Sequence, residues 1–117
     1  MTSKNETAEP AFRILTLNAI SGVGLKRLPA GRYAHGSQLQ DPDAILVRSQ
    51  DLHAMDIPAS VKAIGRAGAG VNNIPVERMS KRGVPVFNAP GANANAVKEL
   101  VIAGILLAAR NLVPALR

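Results

Sequence analysis

Apolar residues in this chain fall into short runs separated by turn-forming residues, with one long run near the end. Ile14-Leu15-Thr16-Leu17 reads as a first strand, entered from Arg13. Asn18 to Gly24 is a polar, glycine-punctuated turn, and Leu25 to Leu28 has room for a short helix that Pro29 ends. Arg32 to Gly36 suits a weak edge strand, and Asp41-Pro42-Asp43 is a turn signal. Ala44-Ile45-Leu46-Val47 follows, a continuous apolar run of the kind found in a central parallel strand buried on both faces. Pro58 limits any helix between Asp51 and Ser60 to a turn or two. Val61 to Gly65 is the next strand. Pro75 suits the first turn of a helix over Val76 to Arg82, Gly83 stops that helix, and Val84 to Asn88 is a further strand.

This alternation predicts an α/β fold, a parallel sheet with helices on both faces. In such sheets ligands bind beyond the carboxyl ends of the strands. Arg48, the segment Arg66 to Gly70 and the segment Asn88 to Asn93 are all expected at those ends.

The middle of these is the stretch around which the chain is organised, Ile64-Gly65-Arg66-Ala67-Gly68-Ala69-Gly70-Val71-Asn72-Asn73. A strand-to-helix turn leaves backbone N–H groups unpaired, and a helix N-terminus behind them favours an anion. Arg66 adds a planar fork of donors suited to carboxylate or phosphate. Two readings stand for this loop alone: an anion-binding nest, or a tight turn that uses glycine for geometry.

Asn93 and Asn95 are N-cap candidates for a last helix, Asn95 to Leu112, ended by Pro114. Leu100 to Ala109 has no polar face, and a helix apolar all round must be covered all round. The sheet covers only one side, so another subunit or a following domain is expected on the other. The run is too short to span a bilayer, which takes roughly 20 residues.

Composition narrows the partners. The net charge is +6, but the basic residues are scattered and form no helical stripe. Phe12, Tyr33 and Phe87 are the only aromatic residues, too few for stacking platforms. A small anionic ligand or an acidic neighbouring region explains the charge better than nucleic acid. The absence of cysteine excludes thiolate metal sites and a cysteine nucleophile, and no metal site is expected. Residues 1–12 read as a disordered tail with no signal peptide, so a cytoplasmic protein without membrane contact is expected. His35 and His53 read as ordinary polar residues.

Ala44 to Ser49, Ala63 to Ile74 and Arg82 to Leu100, in this order and spacing, resemble the N-terminal part of the NAD-dependent D-2-hydroxyacid dehydrogenases, within the branch that oxidises 3-phosphoglycerate in serine biosynthesis. The likeness covers roughly Arg13 to Leu112. It implies a flavodoxin-like substrate-binding domain over residues 13–93. Residues 94–113 would then be a crossover and dimerisation helix leading to an NAD-binding domain. By the same resemblance, Ala67, Gly68, Ala69 and Gly70 offer backbone N–H groups to the substrate carboxylate. Arg48 and Arg66 take the phosphate end, Asn93 faces the cleft, and Ala69 lies near the nicotinamide. A homo-oligomer through the Asn95–Leu112 helix is implied as well.

The dinucleotide fingerprint and the catalytic Arg, Glu and His of that family match nothing here. Gly68-x-Gly70 is followed by Asn73 where a third glycine would stand. No residue is therefore assigned a catalytic role, NAD is expected to be bound mainly beyond Arg117, and these 117 residues alone are expected to be inactive. Alternatives are a dehydrogenase for another 2-hydroxy acid and a non-enzymatic ligand-sensing or interaction module of the same fold.

Overall fold

The computed structural model describes residues 10–117. Five strands form one parallel sheet: β1 (Phe12–Leu17), β2 (Tyr33–Gly36), β3 (Ala44–Val47), β4 (Ala63–Arg66) and β5 (Val86–Phe87). Their order across the sheet is β2-β1-β3-β4-β5, every neighbouring pair parallel. This is the flavodoxin-like order. The apolar run Ala44–Val47 is the middle strand, and the weak strand after Arg32 is an edge.

Register sorts the side chains onto two faces, because partners in a parallel ladder point the same way. Leu15, Ile45, Ile64 and Val86 form one row across the sheet. That face carries the core, in which Leu52, Ile57, Val61, Ile74, Met79 and Val84 close over Leu15, Ile45, Val47 and Ile64. The opposite face is more open. Ile14 and Thr16 are buried there, Leu46 is half-buried and Phe87 is 61% exposed.

Four helices accompany the sheet: α1 (Gly22–Leu25), α2 (Val76–Lys81), α3 (Ala94–Ala109) and α4 (Leu112–Ala115). α1 lies in the β1–β2 crossover and α2 in the β4–β5 crossover. These crossovers run in opposite directions along the sheet, so right-handed connection places the two helices on opposite faces. Met79 anchors α2 in the core, whereas α1 buries no residue. Helical cover on both faces, as expected, is thus present but thin.

α2 ends as its sequence dictates. Gly83 has φ +71°, its N–H donates to the Ser80 carbonyl, and the N–H of Val84 donates to the Met79 carbonyl. These two bonds make a Schellman closure, with Val84 and Met79 in mutual apolar company. The closure commits Val84, and Pro85 has no N–H, so β5 is confined to Val86–Phe87 and does not begin at Val84. Two further boundaries move by a residue or two. The first strand begins at Phe12, whose ring stacks on Tyr33 at 5.5 Å, and β4 runs Ala63–Arg66. Of the tail expected over residues 1–12, residues 1–9 lie outside the described residues, and Phe12 belongs to β1 because its ring packs on Tyr33 of the neighbouring strand.

No helix forms between Asp51 and Ser60. Its place is taken by turns whose carbonyls accept side-chain bonds from Arg78 in α2 and from Arg82 at its C-cap. Arg78 donates to the carbonyls of Leu52, His53 and Met55, and Arg82 donates to Ile57 and Pro58, both at 2.9 Å. Leu52 and Ile57 are thereby held in the core.

The last helix breaks before Pro114. Asn111 takes a left-handed conformation, φ 51°, and Pro114 sits within the first turn of α4, where its missing N–H costs nothing. Every residue of α3 and α4 is exposed, Leu100 at 74% and Ile105 at 62%. The sheet therefore covers neither side of this helix, where cover on one side was expected. No helix among the described residues is long and apolar enough to cross a membrane.

Replacing Arg82 by Ala removes two charge-assisted bonds, one of them to the Ile57 carbonyl and one to the Pro58 carbonyl that also accepts from the Val61 N–H, and is expected to cost about 1–3 kcal/mol of unfolding free energy in a urea titration. Arg82→Lys should recover less than half of that loss, because an ammonium cannot fork across both carbonyls.

Candidate functional site

All strands run the same way, so the segments after Leu17, Val47, Arg66 and Phe87 emerge at one edge. There the chain ties itself together through side chains donating to, or accepting from, backbone. Asn18, with φ 65°, accepts at Oδ1 from the N–H groups of Ser49, at 3.1 Å, and Gln50. Asn73 Nδ2 donates to the carbonyls of Arg48 and Gln50 at 3.3 and 2.9 Å. Arg66 Nε donates to the same Arg48 carbonyl at 2.9 Å. Asn88 Nδ2 donates to the Ala69 carbonyl at 2.8 Å, while the Ala89 N–H donates to the Gly68 carbonyl at 2.9 Å.

The result is a cleft of about 340 Å³ lined by Arg48, Ala67, Gly68, Ala89, Ala92 and Asn93. The Ala67 N–H belongs to the sheet, donating to Val47 at 2.8 Å. The N–H groups of Gly68, Ala69 and Gly70 donate to no protein acceptor among the described residues. Asn93 is the N-cap of the 16-residue α3, so a helix N-terminus borders the cleft. The Arg48 side chain is exposed and has no protein partner among the described residues. Cation, open amides and helix N-terminus together suit a small anion of carboxylate or phosphate type.

Of the residues singled out by sequence, Arg48, Ala67, Gly68 and Asn93 line this cleft. Arg66 lies behind the loop, and Ala69 and Gly70 continue it outside the lining. The helix behind the glycine loop is not the one that borders the cleft. Pro75 caps α2 and lines a separate depression with His53, Val76 and Arg78. His53 is held there by its Nε2 on the Asn72 carbonyl at 2.8 Å, an ordinary structural role. Larger depressions of about 420 to 500 Å³ occur elsewhere among the described residues, but none of them joins a strand-end cation to open loop amides. Sequence reasoning gave Asn18, Asn73 and Asn88 no bracing role. Asn18 and Asn88 directly follow the last residue of a strand, whereas Asn73 stands well past the end of β4.

The loop is not a dinucleotide cradle. Asn73 stands where the third glycine of that fingerprint belongs, and its carboxamide is committed to two carbonyls. No group of His, Asp and Glu suited to a metal ion occurs among the described residues.

Comparison with known proteins gives the family of the chain. The family model for the catalytic domain of D-isomer specific 2-hydroxyacid dehydrogenases matches residues 32–108. The chain is 41% identical to a D-3-phosphoglycerate dehydrogenase of Methanocaldococcus jannaschii, across 64% of this chain and 15% of the relative. It is 44% identical to that of Archaeoglobus fulgidus, across 60% of this chain and 14% of the relative. An erythronate-4-phosphate dehydrogenase of a Shewanella species is 38% identical across 68% of this chain and 22% of its own length. The chain thus spans less than a quarter of each of these relatives.

Asn73 links the loops after β3 and β4, so Asn73→Ala is expected to destabilise the fold by about 1–2 kcal/mol. The same substitution should speed hydrogen exchange at the amides of Ser49, Gln50 and Leu52 more than at those of β1, as peptide-resolved mass spectrometry would show.

Proposed function

The chain belongs to the D-isomer specific 2-hydroxyacid dehydrogenase family, and on that premise we propose that it is the substrate-binding portion of an enzyme acting on a phosphorylated 2-hydroxy acid, 3-phosphoglycerate. The observation that carries this reading is the cleft at the carboxyl edge, where the Arg48 guanidinium, without a partner among the described residues, shares one wall with Gly68 and Asn93. A substrate with an anion at each end fits such a cleft better than one with a single carboxylate. The open amides of Gly68 and Ala69 take the carboxylate, and Arg48 takes the phosphate. The names of the D-3-phosphoglycerate and erythronate-4-phosphate dehydrogenases support a phosphorylated acid.

NAD, the family's hydride acceptor, would oxidise the C2 hydroxyl of the bound acid. The residues of this chain do not build its site, beyond Ala69 standing at the rim of the glycine loop. Their part is to bind and orient the acid. The long helix would continue as a crossover and associate with a second copy through Asn95–Leu112, since its apolar side chains have no cover within the described chain.

Calorimetric titration of the 117-residue chain with 3-phosphoglycerate and with D-glycerate separates the substrate readings. The phosphorylated acid should bind about tenfold or more tightly, Arg48→Ala should erase that preference, and added NAD⁺ should give no NADH. Equal affinity for both acids would return the choice to an unphosphorylated substrate, and NADH formation would overturn the substrate-binding role. Light scattering after gel filtration tests association. The native chain should run as a multiple of its monomer mass, and Leu106→Glu should shift it toward the monomer.

A further inference from the structure

Arg66 does not stand in the cleft as a free cation. Its Nε–H is committed to the Arg48 carbonyl at 2.9 Å, and its guanidinium folds back over its own loop. A β-carbon placed on Gly68 would lie 2.1 Å from Arg66 Nη1 and 2.7 Å from Cζ. The α-carbon of Gly68 is therefore the surface on which the guanidinium rests. Nothing in the backbone asks for glycine at this position. The glycines with positive φ are Gly83 and Gly91, and Gly68 is not among them. What requires glycine at 68 is the arginine.

We infer that Arg66 and Gly68 form a lock in which the guanidinium, seated on Gly68, fixes the Arg48 carbonyl and thereby the segment that carries the Arg48 side chain to the cleft. Arg66 is then a positioning residue and does not itself grip the phosphate. The inference deepens the substrate-site reading given above and rests on it for its effect on affinity, but its structural claim stands separately. Without Arg66, the Arg48 carbonyl keeps only the longer bond from Asn73 Nδ2, at 3.3 Å. The group that a Gly68 side chain would strike is the far end of a flexible arginine. Gly68→Ala should therefore leave the sheet intact and evict the guanidinium. Arg66→Lys preserves the charge and loses the planar Nε–H geometry.

The test uses the ¹⁵N-labelled 117-residue chain. A guanidinium Nε–H held by a carbonyl is shielded from exchange with water and gives a cross-peak near neutral pH. The Arg66 cross-peak should be present with and without 3-phosphoglycerate and vanish in Gly68→Ala, while the amide peaks of β1 and β2 stay in place. Affinity for 3-phosphoglycerate should fall about tenfold in both Gly68→Ala and Arg66→Lys, and adding Gly68→Ala to Arg66→Ala should cost no further affinity, because the evicted group is already gone. A cross-peak that survives Gly68→Ala, a lysine variant that binds like the native chain, or additive losses in the double variant would each overturn the lock. Should the native chain bind no 3-phosphoglycerate, the proposed function fails, and the cross-peak comparison still decides the lock.

Discussion

The carbonyl oxygen of Arg48 is the point on which the carboxyl edge of the sheet depends. It is the first backbone acceptor past the end of β3, with no strand neighbour left to satisfy it, and it receives both Arg66 Nε and Asn73 Nδ2. Two donors from two separate stretches of the loop after β4 thus meet on one oxygen. They bind the loop after β3 to the loop after β4, and Asn88 joins the loop after β5 to the same assembly. The cleft is the space that this bracing leaves open.

The same constraint explains the opposite end of the β3–β4 connection. A crossover helix would satisfy its own carbonyls. The turns between Asp51 and Ser60 do so only in part, at Leu52 and Pro58, and Arg78 of α2 and Arg82 at its C-cap supply further donors. The strongly basic balance of the chain therefore has a partly internal origin. Arg66, Arg78 and Arg82 all address backbone oxygen, and their charges do not advertise a polyanionic partner. Arg48 is different, because its guanidinium meets no protein acceptor among the described residues while the cleft wall runs beside it.

Much of this arrangement was legible in the sequence. The apolar run Ala44–Val47 declared a central strand, Gly83 declared a helix stop, and the convergence of Arg48, the glycine loop and Asn93 followed from parallel strands alone. The side chains that hold those loops were not legible as ties, because Asn18 as an acceptor and Asn73 and Asn88 as donors act across sequence separations of 31, 25 and 19 residues and no local period marks them. The posture of Arg66 was hidden for a related reason. Sequence reveals a cation beside three glycines, but whether it faces a ligand or its own backbone is decided by a neighbour two residues on, through space and not along the chain. Strand ends moved where a competing closure claimed the residue, as Val84 shows in its bond to Met79. The helix break moved from Pro114 to Asn111 because proline is harmless in a first turn, whereas a left-handed residue cannot continue a helix.

The all-round apolarity of α3 was equally plain from sequence, yet its surroundings were not, and the physics of that contrast is strong. Fully burying one large aliphatic side chain is worth about 1.5–3 kcal/mol, and Leu100, Val101, Ile102, Ile105 and Leu106 are each more than half exposed. Together they represent a term comparable with the whole stability of a small domain, about 5–15 kcal/mol. The core face of the sheet is already filled by Leu52, Ile57 and Met79, so this helix cannot be accommodated there without displacing them. Cover for α3 must come from surfaces the core does not use. Any such cover raises the stability of the first turn of α3, and that turn begins at Asn93 on the rim of the cleft. Cover for the helix and order at the rim of the cleft are thus coupled through a single element.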